Sequence, residues 1–128
     1  MAEKTHILIL EDQPETQVLL QKSLGAAGYR TTIATDGLDG LMKLEQIKPD
    51  LIIIDILMPK LNGLDFARAI RSQTATKTIP TIFLTAKDDP QSMVDGINAG
   101  ARYYITKPFD MADLIKKIAK LLQQPRRG

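Results

Sequence analysis

The run Leu51-Ile52-Ile53-Ile54 ends on Asp55 and has neither a helical nor an alternating period. Bounded by Pro49-Asp50 on one side and by Pro59, Asn62 and Gly63 on the other, it predicts a strand covered on both faces, as in a parallel sheet. His6-Ile7-Leu8-Ile9-Leu10 predicts another such strand and ends on Glu11-Asp12. Residues 79–84 predict a third that ends on Thr85-Ala86, with Pro80 at its beginning, where a ladder donor is least needed. Residues 29–35 alternate and are rich in threonine, and residues 102–106 are polar enough to be half exposed, so both belong at sheet edges.

Helical spacing fills the intervals. Pro14 suits a first helical turn, with Val18, Leu20, Leu24 and Ala27 as its apolar face and Gly25 or Gly28 to close it. Asp36 is placed to cap a helix carrying Leu38, Leu41, Leu44 and Ile47, with Met42 beside them, which Lys48-Pro49 stops. Residues 64–71 carry Leu64, Ala67 and Ile70 at helical spacing and lead into a polar connection over 72–78. Asp88-Asp89-Pro90 opens a fourth helix and Asn98-Ala99-Gly100 closes it. Its only sizeable apolar groups are Met93, Val94 and Ile97, so this helix is expected to be the weakest and most mobile. Asp110 caps the last helix, whose Met111, Leu114, Ile115, Ile118, Leu121 and Leu122 form a stripe opposite Lys116, Lys117 and Lys120.

Strands alternating with helices imply parallel pairing through right-handed crossovers. The first, third and fourth strands are apolar throughout and belong in the middle. The expected fold class is therefore α/β, a flavodoxin-like doubly wound (βα)5 with strand order 2-1-3-4-5. Residues 1–122 make one domain and residues 123–128 a polar tail or linker stump. A chain of 128 residues, 44% hydrophobic and 25% charged, has the composition of an ordinary globular domain. Cysteine is absent, which removes thiol chemistry and Cys-ligated zinc. The net charge of +2 is accounted for by Arg126 and Arg127, so the body is near neutral and lacks the basic face that nucleic-acid binding needs. No apolar run approaches the ~18 residues of a membrane span and the N-terminus has no signal-peptide core, so a cytoplasmic location is expected.

The chemistry collects where strands end. In the 2-1-3-4-5 order, Glu11, Asp12 and Asp55 meet, and Thr85 and Lys107 arrive from the neighbouring strands. Two unit charges ~4 Å apart repel by about 4 kcal/mol at an intermediate dielectric, so clustered carboxylates need shared protons or a cation. A hard divalent ion, Mg²⁺ with Mn²⁺ as a substitute, resolves the conflict. Phosphoryl transfer onto Asp55 is then the logical reaction, with Lys107 and Thr85 meeting the phosphoryl oxygens. Other enzyme classes fit less well. There is no GxxxxGK[ST] loop and no GxGxxG, the lone His6 opens a strand remote from the site, and no second Asp lies two positions beyond Asp55.

At these residues the chain resembles the receiver domain of bacterial two-component response regulators, over a stretch from about residue 5 to residue 122. The resemblance rests on Leu8-Ile9-Leu10-Glu11-Asp12, on Pro49-Asp50 through Asp55 followed by Met58-Pro59 and Asn62-Gly63, on Leu84-Thr85-Ala86 and Ala99-Gly100-Ala101, and on Tyr104 ahead of Lys107-Pro108-Phe109. The family has the 2-1-3-4-5 order, so that expectation is not independent of it. The resemblance implies that Asp55 is the phosphoacceptor, served by a sensor histidine kinase or a histidine phosphotransfer protein. It implies Mg²⁺ held by Asp12, Asp55 and the Leu57 carbonyl, with Glu11 acting through a metal-bound water; Glu11 departs from the commoner Asp-Asp pair but keeps the charge.

It further implies that Thr85 and Tyr104 are a switch pair, that Lys107-Pro108 is a cis peptide, and that Leu57 and Lys87 tune phosphoryl lifetime. Output toward a downstream protein would use the fourth helix, fifth strand and fifth helix, with a phosphorylation-dependent homodimer admitted and no nucleic acid or membrane contacted by the domain. Its chemistry would be confined to its own phosphorylation and dephosphorylation. A receiver-like adaptor that is never phosphorylated is the alternative, and the intact set Glu11, Asp12, Asp55, Thr85 and Lys107 argues against it. A small flavodoxin-like enzyme for a nucleotide or flavin is a third reading, but Glu11-Asp12-Gln13-Pro14 would repel a phosphate after the first strand.

Overall fold

The computed structural model describes residues 4–125. Ten elements alternate along the chain: β1 His6–Leu10, α1 Pro14–Ala26, β2 Arg30–Ala34, α2 Gly37–Leu44, β3 Leu51–Ile54, α3 Gly63–Arg71, β4 Thr81–Thr85, α4 Pro90–Asn98, β5 Tyr103–Thr106 and α5 Met111–Leu122. All pairings are parallel and the order is β2-β1-β3-β4-β5, as expected from the placement of the apolar runs. The three central strands are buried along their whole length, whereas β2 and β5 are mostly half-buried. The tail expected over 123–128 is described only as far as Pro125; Arg126 and Arg127 lie outside the described residues, as do the first three residues. Among the described residues no helix is long and apolar enough to cross a membrane.

Alternation along each strand divides the core into two layers. Ile7, Ile9, Leu51, Ile53, Ile82 and Leu84 face one way and pack with Leu20 and Leu24 of α1 and Leu114, Ile118 and Leu121 of α5. Leu8, Leu10, Ile52, Ile54 and Phe83 face the other way, toward Phe66, Ala67 and Ile70 of α3. Each fully buried Leu, Ile or Phe contributes roughly 1.5–3 kcal/mol over its exposed state, so these two layers carry most of the favourable burial.

Several helical residues depart from the faces assigned to them by spacing. Val18 is exposed, because it lies about 200° around the helix from Leu20 at 100° per residue. In α2 the buried residues are Gly37 and Gly40, while Leu38 and Met42 are exposed and Leu41 and Leu44 half-buried. A Cβ at Gly40 would stand 2.9 Å from both Leu10 Cδ2 and Phe66 Cε1, so this helix lies too close to the sheet for a side chain there. The same holds for α4, whose buried residues are Ser92 and Gly96; Met93, Val94 and Ile97, expected as its apolar face, are exposed. Helix α1 closes at Gly28, whose φ of +98° is open to glycine at little cost and whose N–H reaches Gly25 O. Strand β4 begins at Thr81 rather than at 79, because Pro80 has no N–H to give the ladder; its carbonyl accepts from Ile52 N.

His6 is buried at the β1–β2 seam, opposite Arg30 in the register. Arg30 Nη2 stands 3.0 Å from Nδ1, and a guanidinium can only donate, so Nδ1 is bare and Nε2–H donates to Thr32 Oγ1 at 2.6 Å. Burial, and secondly the Arg30 charge, lower its pKa below 6.5 against the opposing pull of Asp50. The folded state therefore favours the neutral ring. As pH falls through the unfolded value of 6.5 toward the lower folded one, the unfolded chain takes up a proton that the folded chain resists, and the stability present above that window is lost. Urea unfolding midpoints are expected to fall between about pH 7.5 and about pH 5.5, and to fall less in His6→Gln; equal slopes for the two proteins would contradict this.

Candidate functional site

Parallel register brings the site together. Leu10 pairs with Ile54, and Asp55 N donates to Leu10 O at 3.0 Å, so Glu11 and Asp55 leave the ends of adjacent strands side by side. Thr85 pairs with Thr106, and Lys107 N donates to Thr85 O at 2.8 Å, which starts the lysine from the next part of the same rim. The Lys107 ammonium reaches both carboxylates, 2.7 Å from Glu11 Oε1 and 3.1 Å from Asp55 Oδ2. Their side chains are nearly sealed, with Glu11 2% and Asp55 5% exposed against 15% for Lys107. The remaining oxygens also have partners: Asp55 Oδ1 accepts from Leu57 N at 3.0 Å and Glu11 Oε2 from Gln13 N at 3.1 Å. Asp12 is exposed beside them, and one oxygen from each of Glu11, Asp12 and Asp55 lies within 4.8 Å of the others. Three hard oxygen donors so grouped suit a divalent cation of the Mg²⁺ type.

The electrostatics follow from burial. Loss of water raises the Glu11 pKa, and the opposing hydrogen bonds from Lys107 and Gln13 only partly offset it. Burial also works against the Lys107 ammonium, but its hydrogen bonds to Glu11 and Asp55 and the charges behind them prevail, so its pKa lies above 10.5. The lysine is thus held as a cation between two carboxylates, the state needed to receive a further anionic group.

Thr85 and Tyr104 do not bond to each other. Lys87 joins them: its N–H donates to Thr85 Oγ1 at 3.3 Å, and its carbonyl accepts from the Tyr104 hydroxyl at 2.7 Å. The Tyr104 ring packs on Phe83, with centroids 5.9 Å apart, and lies across Gly96 of α4. The family resemblance implied Lys87 as a position that tunes phosphoryl lifetime, not as a link between Thr85 and Tyr104, and nothing in the sequence pattern singled out Gly96 or Ser92. Asp89 caps α4 by accepting from Ser92 N and Oγ, which hold its carboxyl at about 2. The Lys107-Pro108 peptide is cis. Leu57 approaches the site through its N–H while its side chain is exposed. After it the chain turns tightly, with Lys60 at a φ of 68° and Gly63 N bonded to Ile56 O at 3.1 Å. His6 lies at the opposite ends of the strands and takes no part.

These features define a flavodoxin-like α/β protein with an acidic, lysine-bridged cleft at the carboxyl ends of its central strands. Residues 7–119 match the response regulator receiver domain. The transcriptional regulatory protein CseB of Streptomyces avermitilis is 38% identical over 124 residues, spanning 97% of this chain and 52% of that protein. The response regulator ArlR of Staphylococcus aureus is 40% identical over 124 residues, spanning 96% and 55%. The chain thus spans about half the length of the curated relatives it matches. Among solved structures, chemotaxis protein CheY4 of Vibrio cholerae superposes with a TM-score of 0.87 at 29% identity, covering 93% of this chain and 99% of that one. The receiver domain of sensor histidine kinase PA1611 of Pseudomonas aeruginosa, solved with a magnesium ion coordinated in its active site cleft, gives a TM-score of 0.88 at 30% identity and covers 95% and 100%. The chain belongs to the response regulator receiver domain family of two-component signalling.

Two substitutions test this description of the site. With metal chelated, Lys107→Ala leaves two buried carboxylates without their cation and is expected to lower unfolding free energy by roughly 3 kcal/mol in urea; a loss below about 1 kcal/mol would contradict the bridge. A Cβ at position 96 would come within 2.8 Å of Tyr104 Cδ2. Gly96→Ala is therefore expected to cost about 1–2 kcal/mol, and clearly less in a Tyr104→Ala background, where only the 3.1 Å approach to Phe83 Cδ2 is left to oppose the helix preference.

Proposed function

We propose that this chain is the phosphoacceptor of a two-component relay, with Asp55 receiving the phosphoryl group. The observation that carries the reading is the Lys107 ammonium held between Glu11 and Asp55, with Asp12 near enough to complete an oxygen cage. The donor is a phosphohistidine on a sensor histidine kinase or a histidine phosphotransfer protein. An Asp55 carboxylate oxygen attacks phosphorus, the P–N bond breaks, and the imidazole leaves with its electron pair and takes up a proton. Lys107 pairs with a phosphoryl oxygen as negative charge moves onto the transferring group, and the Thr85 hydroxyl serves another.

Mg²⁺, with Mn²⁺ as a substitute, would be held by Asp12, Asp55 and the Leu57 carbonyl, with Glu11 acting through a water; it supplies charge neutralisation for the incoming phosphate. The chain acts on itself alone, gaining and losing its own phosphoryl group.

Thr85, Lys87 and Tyr104 form the connection from the site to the surface in this reading. When the Thr85 hydroxyl turns to a phosphoryl oxygen it releases the Lys87 N–H, and the loop that accepts from Tyr104 shifts with it. The exposed Met93, Val94 and Ile97 of α4, with β5 and α5, are the output face for a downstream protein or a second copy of the domain. Residues 1–122 form the receiver unit, which works in the cytoplasm and itself contacts no nucleic acid or membrane.

The test is intact mass after incubation with Mg²⁺ and acetyl phosphate. One phosphoryl adduct is expected on the wild type, and none on Asp55→Asn or in excess chelator. An unmodified wild type would favour an adaptor that never carries phosphate.

A further inference from the structure

The opposite pole of the sheet, before the strands begin, carries a second cluster of charge. Arg71, at the end of α3, turns into the junction of the α3–β4 and α4–β5 connections. Its Nη1 donates to Lys77 O at 2.8 Å and Ile79 O at 3.1 Å, and its Nη2 to Thr81 Oγ1 at 3.0 Å and Gly100 O at 3.3 Å. Four N–H groups are therefore used, all on uncharged acceptors, and the charge itself has no counter-ion among the described residues. Arg102 stands nearby and donates through Nη2 to Gln124 Oε1, again a neutral group. Burial, and after it the proximity of Arg102, lower the Arg71 pKa, as expected of two cations brought together.

A cleft of about 250 Å³ opens over this pair, with Lys77 and Thr78 on its wall and no acidic residue among those lining it. None of Arg71, Lys77 and Arg102 is in an ion pair among the described residues. Neither the Thr78 N–H nor its hydroxyl has a hydrogen-bond partner there. Asp50 lines an adjoining hollow that shares Thr78, Pro80 and Arg102 with this cleft, and it accepts from His6 N at 2.9 Å.

We propose that this cleft is a binding site for a small tetrahedral dianion of the phosphate class, separate from the Asp55 site and independent of the phosphoacceptor reading. Lys77 and Arg102 make the direct contacts, since the Lys77 ammonium and the Arg102 N–H groups other than the one given to Gln124 are uncommitted among the described residues, and Arg71 adds its charge. A dianion suits the cleft because it can meet two cations at once while the third is held too rigidly to turn away.

The probe is sodium phosphate, titrated into nitrogen-15-labelled protein at constant ionic strength with chelator present, so that Asp55 and its neighbours repel the anion. The amide signals of Lys77, Thr78, Ile79, Thr81 and residues 100–102 are expected to move and saturate, with sulfate giving the same pattern. The double variant Lys77→Gln, Arg102→Gln is expected to weaken binding at least roughly tenfold while leaving the rest of the spectrum in place. Shifts that grow linearly without saturating, that appear equally with chloride, or that persist unchanged in the double variant would each overturn the site. Because the amides read out lie at the pole away from Asp55, a negative result here leaves the phosphorylation test unaffected, and the reverse is equally true.

Discussion

Two buried carboxylates on adjacent strands cannot share one rim of a sheet without a cation, and Lys107 supplies it. The lysine comes from the end of β5, two strands from β3, so the contact exists only when the parallel sheet has closed in its full order. Removing the cation would leave charge in a place water hardly reaches, where uncompensated charge costs several kcal/mol. The arrangement is thus both a fastening between distant strands and a site with unfilled capacity. The oxygens of Glu11, Asp12 and Asp55 that lie within 4.8 Å of one another also suit a divalent cation.

A second constraint governs the face of the sheet that carries α2, α3 and α4. Helices α2 and α4 approach through glycine and serine, so the large side chains near these contacts are displaced toward solvent. In α4 the consequence is a helix that meets the body through Ser92, Gly96 and the Tyr104 ring lying across Gly96, with its large apolar side chains outside. Such an element has few contacts to break when the loop before it moves, the condition for two arrangements of similar energy. The Lys87 backbone is hydrogen-bonded to both Thr85 and Tyr104, which links the site rim to the ring packed on that helix.

The two poles of the sheet differ in electrostatic character. At the carboxyl ends of the strands, acidic groups gather around one lysine. At the amino ends, Arg71 binds carbonyls from two connections at once, and its hold on Gly100 O ties the exit of α4 to the entry of β4. Gly100, at a φ of +96°, also leaves room for the Arg71 side chain, since a Cβ there would stand 2.3 Å from Nε. The cation is therefore part of the fold as well as of the cleft above it.

Much of this was legible from residue order alone. Continuous apolar runs distinguish central strands from edges because only strands covered on both faces tolerate them, and the order 2-1-3-4-5, which the family resemblance also implies, meets that distinction. The residues on which those runs end, Glu11, Asp55 and Thr85, follow at once, because every strand of a parallel sheet finishes at the same rim. What the sequence could not specify is how near each helix comes to the sheet. That distance is set by side chains from several elements meeting in three dimensions, so Leu38, Met42, Met93, Val94 and Ile97 read as apolar faces and lie outside, while Ser92 and Gly96, which nothing in the pattern singles out, lie within. The Lys87 link, the bare Nδ1 of His6 and the hold of Arg71 on neutral acceptors of two connections likewise depend on partners far apart in the chain. Periodicity along one element carries no information about them, and only the packed tertiary structure decided them.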